Sequence, residues 1–266
     1  MTSITLQPSR AGISLDTLRQ ASPLLWRTSI AFLALFALAA ILSQIDLRLF
    51  NGISVWIKPS KFFLSLAIHM LTVSWALTLL PDTVRAGPVS RAAIGVLVAM
   101  AIFEMTYIAL QAARGEASHF NSSSVMAQMI YAAMGIGAVL IMVSTAIIGL
   151  QILRSGPRTP LARSFGVSFI LAAMLTVWVG LTLGGMGSHW IGGDQTDATG
   201  LPLVGWSTTG GDLRPAHFMG LHIMQAMPLV ALTGSRALVA ITGVAFLLAT
   251  IAAYALALSG IPLISF

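Results

Sequence analysis

Three ionisable side chains, His69, Glu104 and His222, lie in the middle of long apolar runs. Placing such a group at the centre of a membrane costs roughly 3 kcal/mol or more, so each is read first as part of a site. Imidazole is the commonest metal ligand. His69, His222 and Glu104, with His217 nearby, could together hold a transition metal ion. His69 and His222 come from separate helices and could instead face each other across a b-type haem. His217 and His222 are five residues apart, which turns them about 140° from one another on an ideal helix, so they do not chelate one ion as a pair. The chain has no HExxH or HxxxH pattern. A second chemistry is proton or ion coupling, with Glu104 and His69 in a low-dielectric cavity. A third is hydrolysis, with Ser65 one turn from His69, but no GxSxG or other nucleophile motif accompanies it.

Helical phase groups the polar residues. Lys58, Lys61, Ser65, His69 and Thr72 follow at spacings of three and four and fall within roughly 80° of arc. Glu104, Tyr107, Gln111 and Arg114 do the same on the next run, and Ser124, Gln128 and Tyr131 make a shorter stripe above Gly135. Arg214, His217, His222 and Gln225 span roughly 140°. His69, Glu104 and His222 lie roughly 12–17 Å along their helices from Lys58, Arg114 and Arg214, that is, at one level. Stripes at one level imply a shared cavity lined by Tyr107, Gln111, Gln128, Tyr131 and Gln225. Polar residues used as glue between helices are the plainer reading for Ser65, Thr72 and Ser124. At the mouth, WIKPSKF offers Lys58 and Lys61, RGEASHFN offers Arg114, His119 and Asn121, and GWSTTGGDLRPAHF offers Trp206, Asp212 and Arg214. The cations suit an anionic ligand or haem propionates, or equally snorkel to lipid phosphates. Asp212 is also placed to cap a helix.

The elements that must carry these residues are set by composition. The 266 residues are 57% hydrophobic and only 8% charged, too few charges to cover a water-facing globule, which needs about a quarter. The chain is expected to be an all-α integral membrane protein, a bundle of about seven transmembrane helices whose partner is membrane lipid. Spans fall at about 26–45, 59–80, 91–113, 124–153, 163–186, 214–233 and 236–258. Residues 1–25 make a tail with a short interfacial segment around Leu15, Leu18 and Leu24–Leu25–Trp26, and 259–266 a short C-terminal tail. The net charge of +6 forms no basic stripe with interleaved aromatics, which argues against nucleic acid. The chain has no cysteine, which removes disulfides and thiolate chemistry. Nine basic residues lie on the N-terminal side: Arg10, Arg19, Arg27, Arg85, Arg91, Arg154, Arg158, Arg163 and Arg236. Arg48, Lys58, Lys61, Arg114 and Arg214 lie opposite, so the N-terminus is expected in the cytoplasm and the C-terminus outside.

The segments WIKPSKF, RGEASHFN and GWSTTGGDLRPAHFMGLH together resemble a group of bacterial multi-pass membrane proteins without an assigned activity. The resemblance runs from the second predicted helix through the sixth and implies a bacterial inner membrane. The function expected from the residues is a haem- or metal-binding membrane protein with an outward-facing polar cavity, a membrane-bound oxidoreductase serving electron transfer or oxidation of a small or lipid-soluble molecule. The alternative is a non-enzymatic transporter or sensor using the same cavity.

Overall fold

A computed structural model describes residues 14–265. Arg10 and the rest of the tail before Ser14 lie outside the described residues, as does Phe266. The short helix α1 (Leu15–Ala21) is capped by Ser14, whose hydroxyl accepts the Thr17 N–H, and forms where the interfacial segment is predicted. It is followed by α2 (Pro23–Ile45), α3 (Ile57–Leu77), α4 (Asp82–Arg85), α5 (Pro88–Arg114), α6 (Val125–Ser155), α7 (Pro160–Met186), α8 (Arg214–Ala231) and α9 (Arg236–Leu258). Two short ladders interrupt them. One pairs β1 (Leu49–Phe50) with β2 (Ile53–Ser54), and the other pairs β3 (Trp190–Ile191) with β4 (Gly211–Asp212). Asn51 and Gly52, both at positive φ, make the tight turn of the first.

The long helices fall within three residues of the predicted runs. The N-terminal displacements have one cause. Pro23, Pro88 and Pro160 each open a helix instead of preceding it, because the first turn needs no N–H from them.

Six helices, α2, α3, α5, α6, α7 and α9, are long and apolar enough to cross a membrane. The polar face of α8 sets it apart from them. The outermost helices, α2 and α9, turn Leu38, Ile41, Ile241 and Leu248 outward, the surface expected of helices solvated by hydrocarbon. The core lies between α3, α5, α6 and α7, where Met70, Leu97, Met105, Phe165 and Phe169 are fully buried. Sequential helices pack side by side, and α3 also reaches α6 across the bundle.

The α6–α7 crossing is close because two glycines meet there. A Cβ on Gly149 would lie 2.9 Å from the Gly166 carbonyl oxygen, and one on Gly166 would enter the Leu153 side chain. Small residues let membrane helices gain dispersion contacts that larger ones forbid. Gly166→Val is expected to destabilise the protein by about 1–3 kcal/mol, read as a fall of several degrees in Tm in detergent. Gly135→Ala, at a position with nothing within 4 Å, is expected to leave Tm unchanged or raise it slightly.

Candidate functional site

The connection between α7 and α8 lies over the end of the bundle that also carries the α2–α3 connection. Arg214 holds it. Its guanidinium meets Asp212 Oδ2 at 2.7 Å and Asp197 Oδ1 at 2.6 Å, and donates to the Gly205 carbonyl at 2.6 Å. Asp212, itself buried, also accepts the backbone N–H groups of Ser207 and Arg214 at 2.9 Å each. It therefore satisfies the first turn of α8, as a cap would. Trp190 stacks over the Arg214 guanidinium at 5.7 Å. Both residues are consumed by this clamp and are not free for an anionic ligand. The loop is tied down elsewhere too. Asp197 N–H and Thr196 Oγ1 donate to the Asn51 carbonyl, and Lys61 Nζ donates to the Val204 carbonyl at 3.1 Å.

The connection between α5 and α6 is built by residues expected at the mouth or in the cavity. Gln111 Nε2 donates to the Ala117 carbonyl at 3.0 Å and to Glu116 Oε2 at 3.2 Å. Arg114 is exposed and pairs with Glu116. Asn121 Nδ2 donates to the Ala117 carbonyl at 2.9 Å, while its Oδ1 accepts from Ser123. Gln128 is exposed and reaches only the Ser122 carbonyl. Arg114, Asn121, Gln111 and Gln128 are therefore loop-building or surface groups. Their helical phase is right, but near a helix end the nearest unpaired carbonyls belong to the loop and claim them.

That loop delivers His119 inward. Phe120 beside it has a positive φ of 57°, a conformation that costs a bulky residue about 1–2 kcal/mol and so must be enforced by its surroundings. His119 Nδ1 lies 3.1 Å from Lys58 Nζ and 3.2 Å from Ser118 Oγ. Its ring neighbours Phe62 and Tyr131. Burial, then the charges of Lys58 and His217, push the His119 imidazole well below its ordinary pKa. It is therefore neutral, and its Nδ1 lone pair accepts from the lysine ammonium.

Beneath His119, several interior polar atoms have no partner among the described residues. These are Glu104 Oε1 on α5, His217 Nδ1 on α8, Thr176 Oγ1 on α7 and Ser60 Oγ on α3. Glu104 is 5% exposed and lies against Gly137 of α6, where a Cβ would sit 3.0 Å from its carboxylate. Lys58 is within electrostatic reach of Glu104 but forms no ion pair with it. Tyr107, also expected to line the cavity, is half-buried and packs against the apolar core.

Two further histidines, His69 on α3 and His222 on α8, have partners of their own. His69 Nε2 lies 2.8 Å from Thr145 Oγ1. The Thr145 hydroxyl proton is directed to the Ile141 carbonyl, so His69 donates from Nε2. His222 Nδ1 donates to Gln225 Oε1 at 3.2 Å, and Gln225 Nε2 reaches Thr72 Oγ1 at 3.4 Å. The His222 ring stacks on Phe218, and Phe218 on Trp206, so Trp206 belongs to an aromatic column running down to this level.

Two sets of contacts can be followed: His119 with Lys58, which lies within electrostatic reach of Glu104, and His69, His222 and Gln225 with partners of their own. His217 lies within electrostatic reach of both His119 and His222 and joins the two. Among the described residues no three His, Asp or Glu side chains gather as a metal site would require. For a bis-histidine haem, His69 Nε2 is engaged by Thr145 of α6, which leaves its Nδ1 as the nitrogen that could reach an iron.

Three contributors carried no sequence signal. Thr145 lies on no polar stripe, Asp197 is one acid in a long loop, and His189 was one histidine among five. The His189 ring packs on Trp190 at 3.9 Å, and its imidazole is pushed down to about 3, by burial and then by Arg214.

Two predictions follow from these contacts. Arg214→Lys removes the fork that binds two carboxylates at once, and it is expected to cost about 3 kcal/mol and speed proteolysis within 187–213. The second concerns pH. With His189 neutral down to about 3 in the folded chain and protonating near 6.5 when unfolded, the unfolded state takes up the proton first on acidification. Tm is expected to fall as pH drops from 6.5 toward 4, and less steeply in His189→Phe.

No family model matches the chain, and neither a curated protein nor a solved structure is similar to it.

Proposed function

We propose that the chain spans a bacterial cytoplasmic membrane seven times and binds a small polar solute in its outer half, as a transporter or sensor. The seventh span in this reading is α8. Its 18 residues reach about 27 Å, and Arg214, His222 and Gln225 make contacts within the protein. The N-terminus is placed in the cytoplasm. The excess of arginine on that side supports this, and Lys58 and Lys61 weigh less against it because both bond within the protein. The bacterial setting rests on the resemblance of the three segments.

The observation that carries the reading is the set of unpartnered interior atoms on α3, α5, α7 and α8. A buried polar atom left without a partner costs about 1–3 kcal/mol, so four on facing helices are poor glue. They are good contacts for a guest. Lys58 uses one donor on His119 and keeps others, while Glu104 offers an unclaimed carboxylate oxygen. The matching solute carries an anionic group at one end and a hydrogen-bond donor at the other. A resident haem or metal is not part of this reading.

If Glu104 is held unpartnered for a guest, Glu104→Gln removes a buried carboxyl whose Oε1 makes no hydrogen bond within the protein. Tm is then expected to rise by a few degrees, while calorimetric binding of alanine, succinate or phosphate, whichever probe saturates, weakens at least tenfold. Lys58→Met is expected to weaken the same probe equally. A Tm that instead drops several degrees in Glu104→Gln would mean the carboxylate is a structural strut, and the reading fails.

A further inference from the structure

The ring of helices is not sealed between α3 and α8. A cleft of about 250 Å3 lies there, lined by Ile68, Leu71, Thr72, Trp75, Gln225 and Leu229. Leu18 of α1 closes one end, tied in place because Ser74 Oγ donates to its carbonyl at 3.1 Å. The rim residues Ile68 and Leu229 are 38% and 56% exposed, so the cleft opens sideways. It occupies the C-terminal half of α3, which on the proposed topology faces the inner leaflet.

The lining of this cleft is almost wholly apolar, with Thr72 and Gln225 as its polar residues. Gln225 Oε1 is taken by His222, and one Nε2 hydrogen makes a long contact of 3.4 Å with Thr72. The second Nε2 hydrogen has no acceptor among the described residues. A donor facing hydrocarbon is expensive unless something accepts from it. Trp75 forms one wall, fixed edge-on by Phe165 with ring centroids 4.7 Å apart. A lateral opening admits only molecules already dissolved in lipid. The free donor selects one with an accepting oxygen, which an acyl chain lacks. The flat indole favours a planar ring. The volume is below the roughly 300–1,000 Å3 of ordinary ligand pockets, so it suits a ring whose tail stays in the bilayer.

We infer that this cleft binds the head group of a lipid-soluble, carbonyl-bearing ring compound, the chemistry of a long-chain quinone. The site is separate from the solute site above and does not depend on it.

The test uses the full chain in nanodiscs with menaquinone-4 as probe. Quenching of tryptophan fluorescence is titrated in the parent and in Trp75→Phe, and the difference isolates Trp75. The expected result is saturable quenching of Trp75, with the apparent Kd at least fivefold weaker in Gln225→Leu. Leu229→Phe, which narrows the cleft from its exposed rim, leaves Gln225 in place and adds no fluorescent indole, is expected to abolish it. This variant also covers the case in which Gln225→Leu fails to fold. Quenching that rises without saturation, or is unchanged in both variants, overturns the inference. So does equal quenching by a brominated-chain phospholipid that the probe cannot displace, which would make the cleft a plain acyl-chain contact.

Discussion

A polar side chain inside this bundle has no bulk water to turn to. Every interior donor and acceptor must find a protein partner, a guest, or remain costly. The rest of the arrangement follows from how that constraint is met. Most groups meet it locally. Thr72, Thr145 and Thr250 return their hydroxyl protons to the carbonyl four residues back. Arg214 meets it at long range, by recruiting two aspartates and a carbonyl from the loop in front of it. The groups that do not meet it are the informative ones: among the described residues they lie on α3, α5, α7 and α8 and on His189 and Trp190 of the loop before α8.

These choices grade the bundle along its axis. The outer end is a network of loop contacts around Arg214 and Asn121. Next to it lie Lys58 and His119, and further in Glu104 and His217 keep unpartnered atoms. His69 and His222 are each engaged by a neighbour, and the cleft beside Gln225 opens sideways. The two histidines once expected to share a metal are each oriented by a neutral partner, Thr145 and Gln225.

The helices were legible because apolar length and proline placement are local properties of the chain. The phase of Lys58, His69 and Glu104 was legible for the same reason, since each faces inward as its spacing requires. What each would meet there was not. Glu104 is at the depth of His69, yet it lies toward Lys58 because α5 crosses α6 at Gly137. His69 finds Thr145, 76 residues away, through a crossing that no local pattern encodes. Phase failed for Arg114 and Gln128 because both sit at helix ends, where the path of the loop decides orientation. Trp206 and Asp212 were recognised as important by their motif, but their work is to build the outer end.

The loop held by Arg214 has a consequence for how the chain reaches its place. Residues 187–213 carry Asp194, Asp197 and Asp212 and no lysine or arginine. On the proposed orientation this segment must be exported across an energised membrane that is negative inside. Each acid moved outward gains about 2.3 kcal/mol per 100 mV, so the membrane potential draws the loop across before Arg214 follows and is neutralised by it. The acids that clamp the finished protein would thus also drive the insertion of its sixth span.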